Sequence, residues 1–291
     1  MQIYSLAGEH AGFFIALITV LGLVVGSFLN VVIHRVPNMM QKGWRKDCCE
    51  LLEMDAPSDA NDTYDLLKPD SHCPNCKTPI KAWQNIPIIS YLLLRGKCHQ
   101  CAQPISVRYP IVELVTGILS GYIAYSYGYS EQTMTALLLT WALVSLTMID
   151  VDHQLLPDNI TLPLLWLGIL VNSQGVFTDL SSAVFGAMAG YLVLWSVFWL
   201  FKIITGKEGM GYGDFKLLAA LGAWMGWQAL PLIIILSSLV GAVIGILGIL
   251  IQGRDKNIPI PFGPYLAIAG WIALIWGDQI TQQYLQFTGL Q

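Results

Sequence analysis

Eight largely apolar segments take up most of this chain: residues 12–33, 111–127, 133–149, 160–176, 183–204, 215–227, 230–251 and 265–283. Segments of roughly 17–25 apolar residues are long enough to cross a hydrocarbon core of about 30 Å. The expected fold is therefore an all-α polytopic membrane protein with about eight transmembrane helices. The sixth segment is short and rich in Gly and Ala. The fourth follows Pro157-Asp-Asn159 and the eighth follows Pro261-Phe-Gly-Pro264, both ordinary helix entrances. A soluble fold fails on charge, because only 12% of residues are charged and 55% are hydrophobic, against about 25% charged in a soluble domain.

The basic residues set the expected orientation. Ten of the fifteen Lys and Arg lie between Arg35 and Arg108, and the others are Lys202, Lys207, Lys216, Arg254 and Lys256. With eight spans all of them fall on one side, and the opposite segments (1–11, 128–132, 174–180, 226–229 and the C-terminus) carry none. The positive-inside rule makes the charged side cytoplasmic, with both termini outside. The first apolar segment is too long, and too poor in basic residues before it, to be a cleaved signal peptide. The net charge of −4, without a basic cluster or an aromatic array, gives no reason to expect a nucleic-acid partner.

Between the first two spans lies a polar insert with Cys73-Pro-Asn-Cys76 and Cys98-His-Gln-Cys101, two matched knuckles twenty-one residues apart. That spacing is close to a four-cysteine zinc ribbon, and thiols in a reducing cytoplasm favour metal over disulfides. Four thiolates close the coordination sphere of Zn2+, so the site is expected to be structural. His72 and His99 are read as turn residues, Cys48 and Cys49 as free thiols, and the acidic stretch 51–65 as a mobile loop. The apolar segment 86–94 is too short to cross and is expected to lie on the membrane or on the zinc module. The expected domains are a first transmembrane helix (1–34), a small cytoplasmic zinc-ribbon-like insert between helices 1 and 2 (35–109), and a seven-helix membrane core (110–291).

Asp150 ends the third segment and Asp214 opens the sixth, both facing the charged side. Acids at the rim of a bilayer are functional candidates. Two close carboxylates share a proton, so that one activates water while the other polarises a carbonyl, the arrangement of an aspartic protease. Around Asp150 the chain reads Ile149-Asp-Val-Asp-His-Gln-Leu-Leu-Pro-Asp158. Asp152, His153 and Asp158 are read as a solvated turn, with Asp158 capping the fourth helix, rather than as metal ligands. Gly209-Met-Gly-Tyr-Gly-Asp214 is not a dinucleotide loop, because no strand precedes it. Its glycines are expected to open space around Asp214 for a substrate chain.

Gly26-Ser-Phe-Leu-Asn-Val-Val-Ile-His-Arg-Val-Pro37, the paired knuckles, the Asp150 motif, Gly-Tyr-Gly-Asp214-Phe-Lys216 and Ile260-Pro-Phe-Gly-Pro-Tyr265 together resemble the bacterial type IV prepilin peptidases, also called leader peptidase/N-methyltransferases. The resemblance runs over essentially the whole chain. It implies an inner-membrane enzyme that cuts the basic leader of prepilins and pseudopilins after a glycine at the cytoplasmic face. The enzyme would then methylate the new N-terminal residue with S-adenosylmethionine. By the same resemblance Asp150 and Asp214 take the protease roles, and Cys73, Cys76, Cys98 and Cys101 take the zinc. Gly96 and the 26–37 segment fall in the region associated with methyl transfer. Asp152 and Asp158 are candidates for attracting the basic leader. The rival readings are a proton-coupled transporter and a zinc-anchored secretion platform without chemistry. A transporter predicts acids deep in the bundle and inverted repeats, which this sequence does not display.

Overall fold

The computed structural model describes residues 11–54, 64–252 and 261–289. Its helices are α1 (Ala11–Leu51), α2 (Ile89–Leu93), α3 (Arg108–Tyr127), α4 (Glu131–His153), α5 (Asp158–Asn172), α6 (Leu180–Thr205), α7 (Tyr212–Met225), α8 (Leu230–Gln252) and α9 (Gly263–Thr288). All eight apolar segments are helical. Four stretches are long and apolar enough to cross a membrane by length and composition, namely α1, α4, α6 and Trp227–Leu247, as a multi-pass membrane protein requires. Among the described residues the extended pairings are two isolated bridges. Residues 1–10, most of the acidic 51–65 stretch, Arg254, Lys256 and Ile260 lie outside the described residues.

The chain forms two compact units, Met1–Tyr129 and Ser130–Gln291. In the first, α1 packs along α3 through a seam of small residues. A Cβ on Gly22 would lie 2.5 Å from Ser120 Oγ and 3.0 Å from the Gly117 Cα, and one on Gly26 would lie 2.8 Å from the Glu113 Cα. Small residues of this kind let helix backbones approach closely where lipid offers no hydrophobic drive to associate. Unexpectedly, α1 continues eighteen residues past Ile33, through Pro37. Pro37 removes one backbone hydrogen bond, but the side chain of Arg35 anchors the helix at the same level. Its guanidinium donates to the carbonyls of Asp65 (2.9 Å) and Pro69 (2.6 Å). At about 1.5 Å per residue, forty-one residues span about 60 Å, twice the hydrocarbon thickness.

In the second unit α7 is the buried centre. Phe215, Leu217, Leu218, Leu221, Ala223 and Trp224 are all almost fully buried, and α5, α6 and α9 pack around the helix. This explains its short, Gly- and Ala-rich sequence, since it meets helices rather than lipid on most sides. The Gly186 and Gly222 backbones touch where α6 crosses α7, and a Cβ on Gly190 would lie 2.6 Å from the Leu218 carbonyl. Polar anchors complete the packing. Trp224 Nε1 donates to the Leu164 carbonyl at 2.8 Å, and Asn172 Nδ2 donates to the Ala223 and Trp224 carbonyls, each at 2.8 Å. The outward faces of α6 and α8 leave large apolar side chains exposed, Leu200, Ile203, Ile235 and Leu239 among them.

Candidate active site and metal centre

Only four charged side chains are buried among the described residues: Arg35, Glu113, Asp150 and Asp214. The last two belong to the second unit. Asp150 sits one turn before the end of α4, where Gln154 adopts a left-handed conformation (φ 52°) and closes the helix by donating to the Asp150 carbonyl. The carboxylate of Asp150 reaches the start of α9, and the Gly263 N–H donates to its Oδ2 at 3.0 Å. Asp214 lies in the first turn of α7 and reaches back to accept the Gly211 N–H at 3.2 Å. Each carboxylate therefore lies at the amino end of a helix, that of Asp150 at the start of α9 and that of Asp214 at the start of α7, where free N–H groups and the helix dipole favour negative charge.

Leu156, buried in the short α4–α5 connection, links the two sites. A Cβ on Gly213 would lie 2.7 Å from Leu156 Cβ. One on Gly263 would lie 2.7 Å from Asp150 Oδ2 and 3.0 Å from Leu156 Cδ2. The glycine before Asp214 thus makes room for Leu156, whereas at Gly211 the nearest atom to a Cβ would be Asp214 Oδ2 at 3.8 Å. Beside it, the rings of Phe198, Tyr212 and Phe215 pack with centroids 5.2–5.6 Å apart and hold the first turn of α7 against α6.

Of the neighbouring acids, Asp158 departs from expectation. Asp158 is not the helix cap, because Pro157 occupies that position and Asp158 is the first residue of α5. Both oxygens of Asp158 are held at 2.7 Å by Lys216 Nζ from α7, two residues beyond Asp214. Asp152 and His153 are exposed. Sequence reasoning noticed Pro261-Phe-Gly-Pro264 as a helix entrance and as part of a family motif, without a role at the site. It missed the Gly263 N–H, Leu156 and Lys216, none of which carries a signal until the helices are placed together.

In the first unit the two cysteine knuckles are one turn built twice. The N–H of Cys73 bonds the Thr78 carbonyl and that of Cys98 bonds the Gln103 carbonyl, while Lys77 and Ala102 donate back to Cys73 and Cys98. Lys77 and Ala102 both take positive φ, 58° and 55°. The bridges His72–Pro79 and Lys97–Pro104 close the two hairpins at equivalent places. The four Sγ atoms of Cys73, Cys76, Cys98 and Cys101 lie within 4.8 Å of one another, with Cys73–Cys101 at 3.8 Å and Cys76–Cys98 at 4.0 Å. Tetrahedral thiolate bonds of about 2.3 Å put sulfurs about 3.8 Å apart, so the cluster fits a four-coordinate metal ion. The Thr78 hydroxyl, 3.3 Å from Cys76 Sγ, and then its backbone pull the Cys76 thiol down to about 6. The backbone N–H groups of Cys101 and Gln100 lower Cys98.

His72 is exposed and pairs with the Asp70 carbonyl, and His99 meets the edge of Trp83. Neither joins the thiols, as the sequence implied. Cys48 and Cys49 lie at the end of α1 and outside the four-thiol group. Gly96 has φ 67°, and a Cβ there would lie 2.9 Å from the Tyr91 hydroxyl. It shapes the hairpin that leads into the second knuckle. In the 86–94 segment, Ile86, Ile89, Leu92 and Leu93 remain exposed, an apolar edge on a short helix.

Comparison with known proteins agrees with this division. Residues 20–127 match the model of the bacterial peptidase A24 N-terminal domain, and residues 137–246 match the type IV leader peptidase family. The chain is 61% identical to the prepilin leader peptidase/N-methyltransferase of Stutzerimonas stutzeri, over 95% of this chain and 96% of that one. It is 56% identical to the protein of the same name from Pseudomonas aeruginosa, over the full length of both. The Neisseria gonorrhoeae protein of that name is 53% identical over 92% of each chain. No solved structure matches. On full-length identity with these relatives, the chain belongs to the prepilin leader peptidase/N-methyltransferase family.

Proposed function

We propose that this protein is a bifunctional inner-membrane enzyme that removes the leader of type IV prepilins and pseudopilins and then N-methylates the residue exposed. The observation that carries the first activity is the pair of buried aspartates of α4 and α7, each anchored by a backbone N–H, with Leu156 packed against Gly213 next to one and Gly263 next to the other. With one proton shared between them, the ionised carboxylate takes a proton from water as its oxygen attacks the scissile carbonyl. The protonated partner gives its hydrogen to that carbonyl oxygen, and the proton gained from water passes to the leaving amine. Burial strengthens each of these interactions by excluding bulk water.

With eight spans and the basic loops inside, both aspartates would lie at the cytoplasmic rim, where the charged leader of a prepilin would meet its hydrophobic helix. Cys73, Cys76, Cys98 and Cys101 would hold a structural Zn2+, which leaves no open position for catalysis. S-adenosylmethionine would supply the methyl group to the new terminal amine, at a site that includes the region of Gly96.

The test is mass spectrometry of a prepilin incubated with purified enzyme in detergent. Leader loss with wild type, absent with Asp150→Asn and with Asp214→Asn, supports the dyad, and a further methyl-sized gain on adding S-adenosylmethionine supports the second activity. Cleavage surviving in both variants would sink the assignment.

A further inference from the structure

The leader peptidase match and both buried aspartates lie within the second unit, while relatives of this chain are named for a second activity as well. The first unit has its own buried carboxylate, Glu113 of α3, which the peptidase chemistry does not use. Its Oε2 accepts the N–H of Ile88 at 2.8 Å. Glu113 packs closely on α1, where a Cβ on Gly26 would lie 2.8 Å from its Cα, and beside it the Ser27 hydroxyl of α1 donates to the Asn85 carbonyl at 3.4 Å. One acid thus joins α1, α3 and the turn that leads to α2.

That turn is strained. Ile88 has φ 59° and ψ −48°, a region that a β-branched residue rarely enters. The Ile89 N–H bonds the Pro87 carbonyl at 2.5 Å, which makes a tight three-residue γ-turn of the uncommon, positive-φ kind. Conformations of this kind persist only where the surroundings impose them, and they gather at functional sites. A buried carboxylate on the Ile88 N–H is such an imposition. Immediately downstream are α2 and the Gly96 hairpin, which bonds back through Gly96 N–H to the Tyr91 carbonyl and Ile105 N–H to the Gly96 carbonyl.

We propose that Glu113 is a positioning residue for methyl transfer, holding the Ile88 turn, and with it the segment from α2 to Gly96, in its working conformation. This rests on the methyl-transfer half of the proposed function. The role requires an acceptor oxygen and not a charge. Glu113→Gln keeps an oxygen for the Ile88 N–H, whereas Glu113→Met keeps the length and loses the acceptor. Replacing Ile88 by glycine, which takes positive φ without steric cost, removes the strain that Glu113 offsets.

The experiment measures leader cleavage and methylation of one prepilin by mass spectrometry, in wild type, Glu113→Gln, Glu113→Met and the double variant Ile88→Gly/Glu113→Met. Cleavage is expected to stay within about twofold of wild type throughout, while Glu113→Met slows methylation by about tenfold or more, as a buried N–H left without its acceptor implies. Glu113→Gln is expected to retain most methylation, and the double variant to recover most of it. The proposal is overturned if Glu113→Met methylates normally, if it loses both activities in parallel, if Glu113→Gln is as impaired as Glu113→Met, or if the double variant fails to recover. A wild type that cleaves but never methylates would instead remove the second activity itself, and the role of Glu113 with it.

Discussion

The N–H of Gly263 donates to Asp150 Oδ2 at 3.0 Å, joining positions 113 residues apart in the chain. It is a bond that only glycine fits, because a Cβ at 263 would lie 2.7 Å from the same oxygen. Gly263→Ala is therefore expected to turn the Asp150 carboxylate and to lower kcat by about a hundredfold with little change in KM, as displacements of about an ångström do at a reacting centre. Adding Leu156→Ala relieves the other close contact, at 3.0 Å, but leaves the clash with Asp150. Recovery of cleavage in that double variant would count against a role for this bond.

Activity that needs one proton on a pair of carboxylates falls away on both sides of an optimum. The rate of leader cleavage is expected to trace a bell against pH, with apparent limbs that belong to the pair and not to either residue. Asp150→Asn and Asp214→Asn are expected to abolish cleavage at every pH. Both should still methylate a synthetic pilin segment that already begins at the mature residue, followed by mass.

Lys216 holds both oxygens of Asp158, so Asp158 already has its counter-charge. Asp158→Asn is expected to leave the preference for basic leaders unchanged. A partly exposed pair of this kind contributes about 0.2–1 kcal/mol, and a small drop in thermal midpoint is the expected stability effect. Competition between leaders of graded charge checks the first expectation, and a loss of discrimination would restore Asp158 as a leader contact.

Metal removal has a signature at Cys76. A thiol held down at about 6 by Thr78 is mostly thiolate at neutral pH and gains its proton as the pH falls through that value. In protein stripped by chelator, alkylation of Cys76 is expected to slow on acidification with a midpoint near pH 6. The thiol's contribution to stability follows the same sign: it is fully present above the unfolded-state value and lost as pH falls through the folded one. Cys76→Ser is expected to lower the yield of folded protein more than the cleavage turnover of what remains.

Where α6 crosses α7 there is no room for one carbon. A Cβ at Gly222 would strike the Gly186 carbonyl, and the reverse holds for Gly186. Gly222→Ala is expected to cost about 1–3 kcal/mol, the range for overpacking a tight interior, read as a lowered thermal midpoint in detergent.

The eight helices were legible because each is a run of apolar residues, and the cysteine module was legible because its spacing repeats. The continuation of α1 through Pro37 was not, since proline normally stops a helix and the compensating bonds of Arg35 come from carbonyls thirty residues away. Asp150 and Asp214 stood out as acids at the ends of apolar runs. Glu113 carries the same signal, an acid within an apolar segment, but it drew no notice beside the family motifs. The bonds that place these acids come from backbone N–H groups of Gly263, Gly211 and Ile88. Every residue but proline has such a group, so residue type says nothing about which one is used.

Between the two knuckles lie twenty-one residues, among them the Ile88 turn, α2 and Gly96. An ion gripped by two sulfurs at each end would make that stretch a ring instead of an open strand. Ring closure restricts how far the segment can wander when it opens. Metal held at the thiols would thus tether the ends of one loop whose middle the carboxylate of Glu113 pins at the Ile88 N–H.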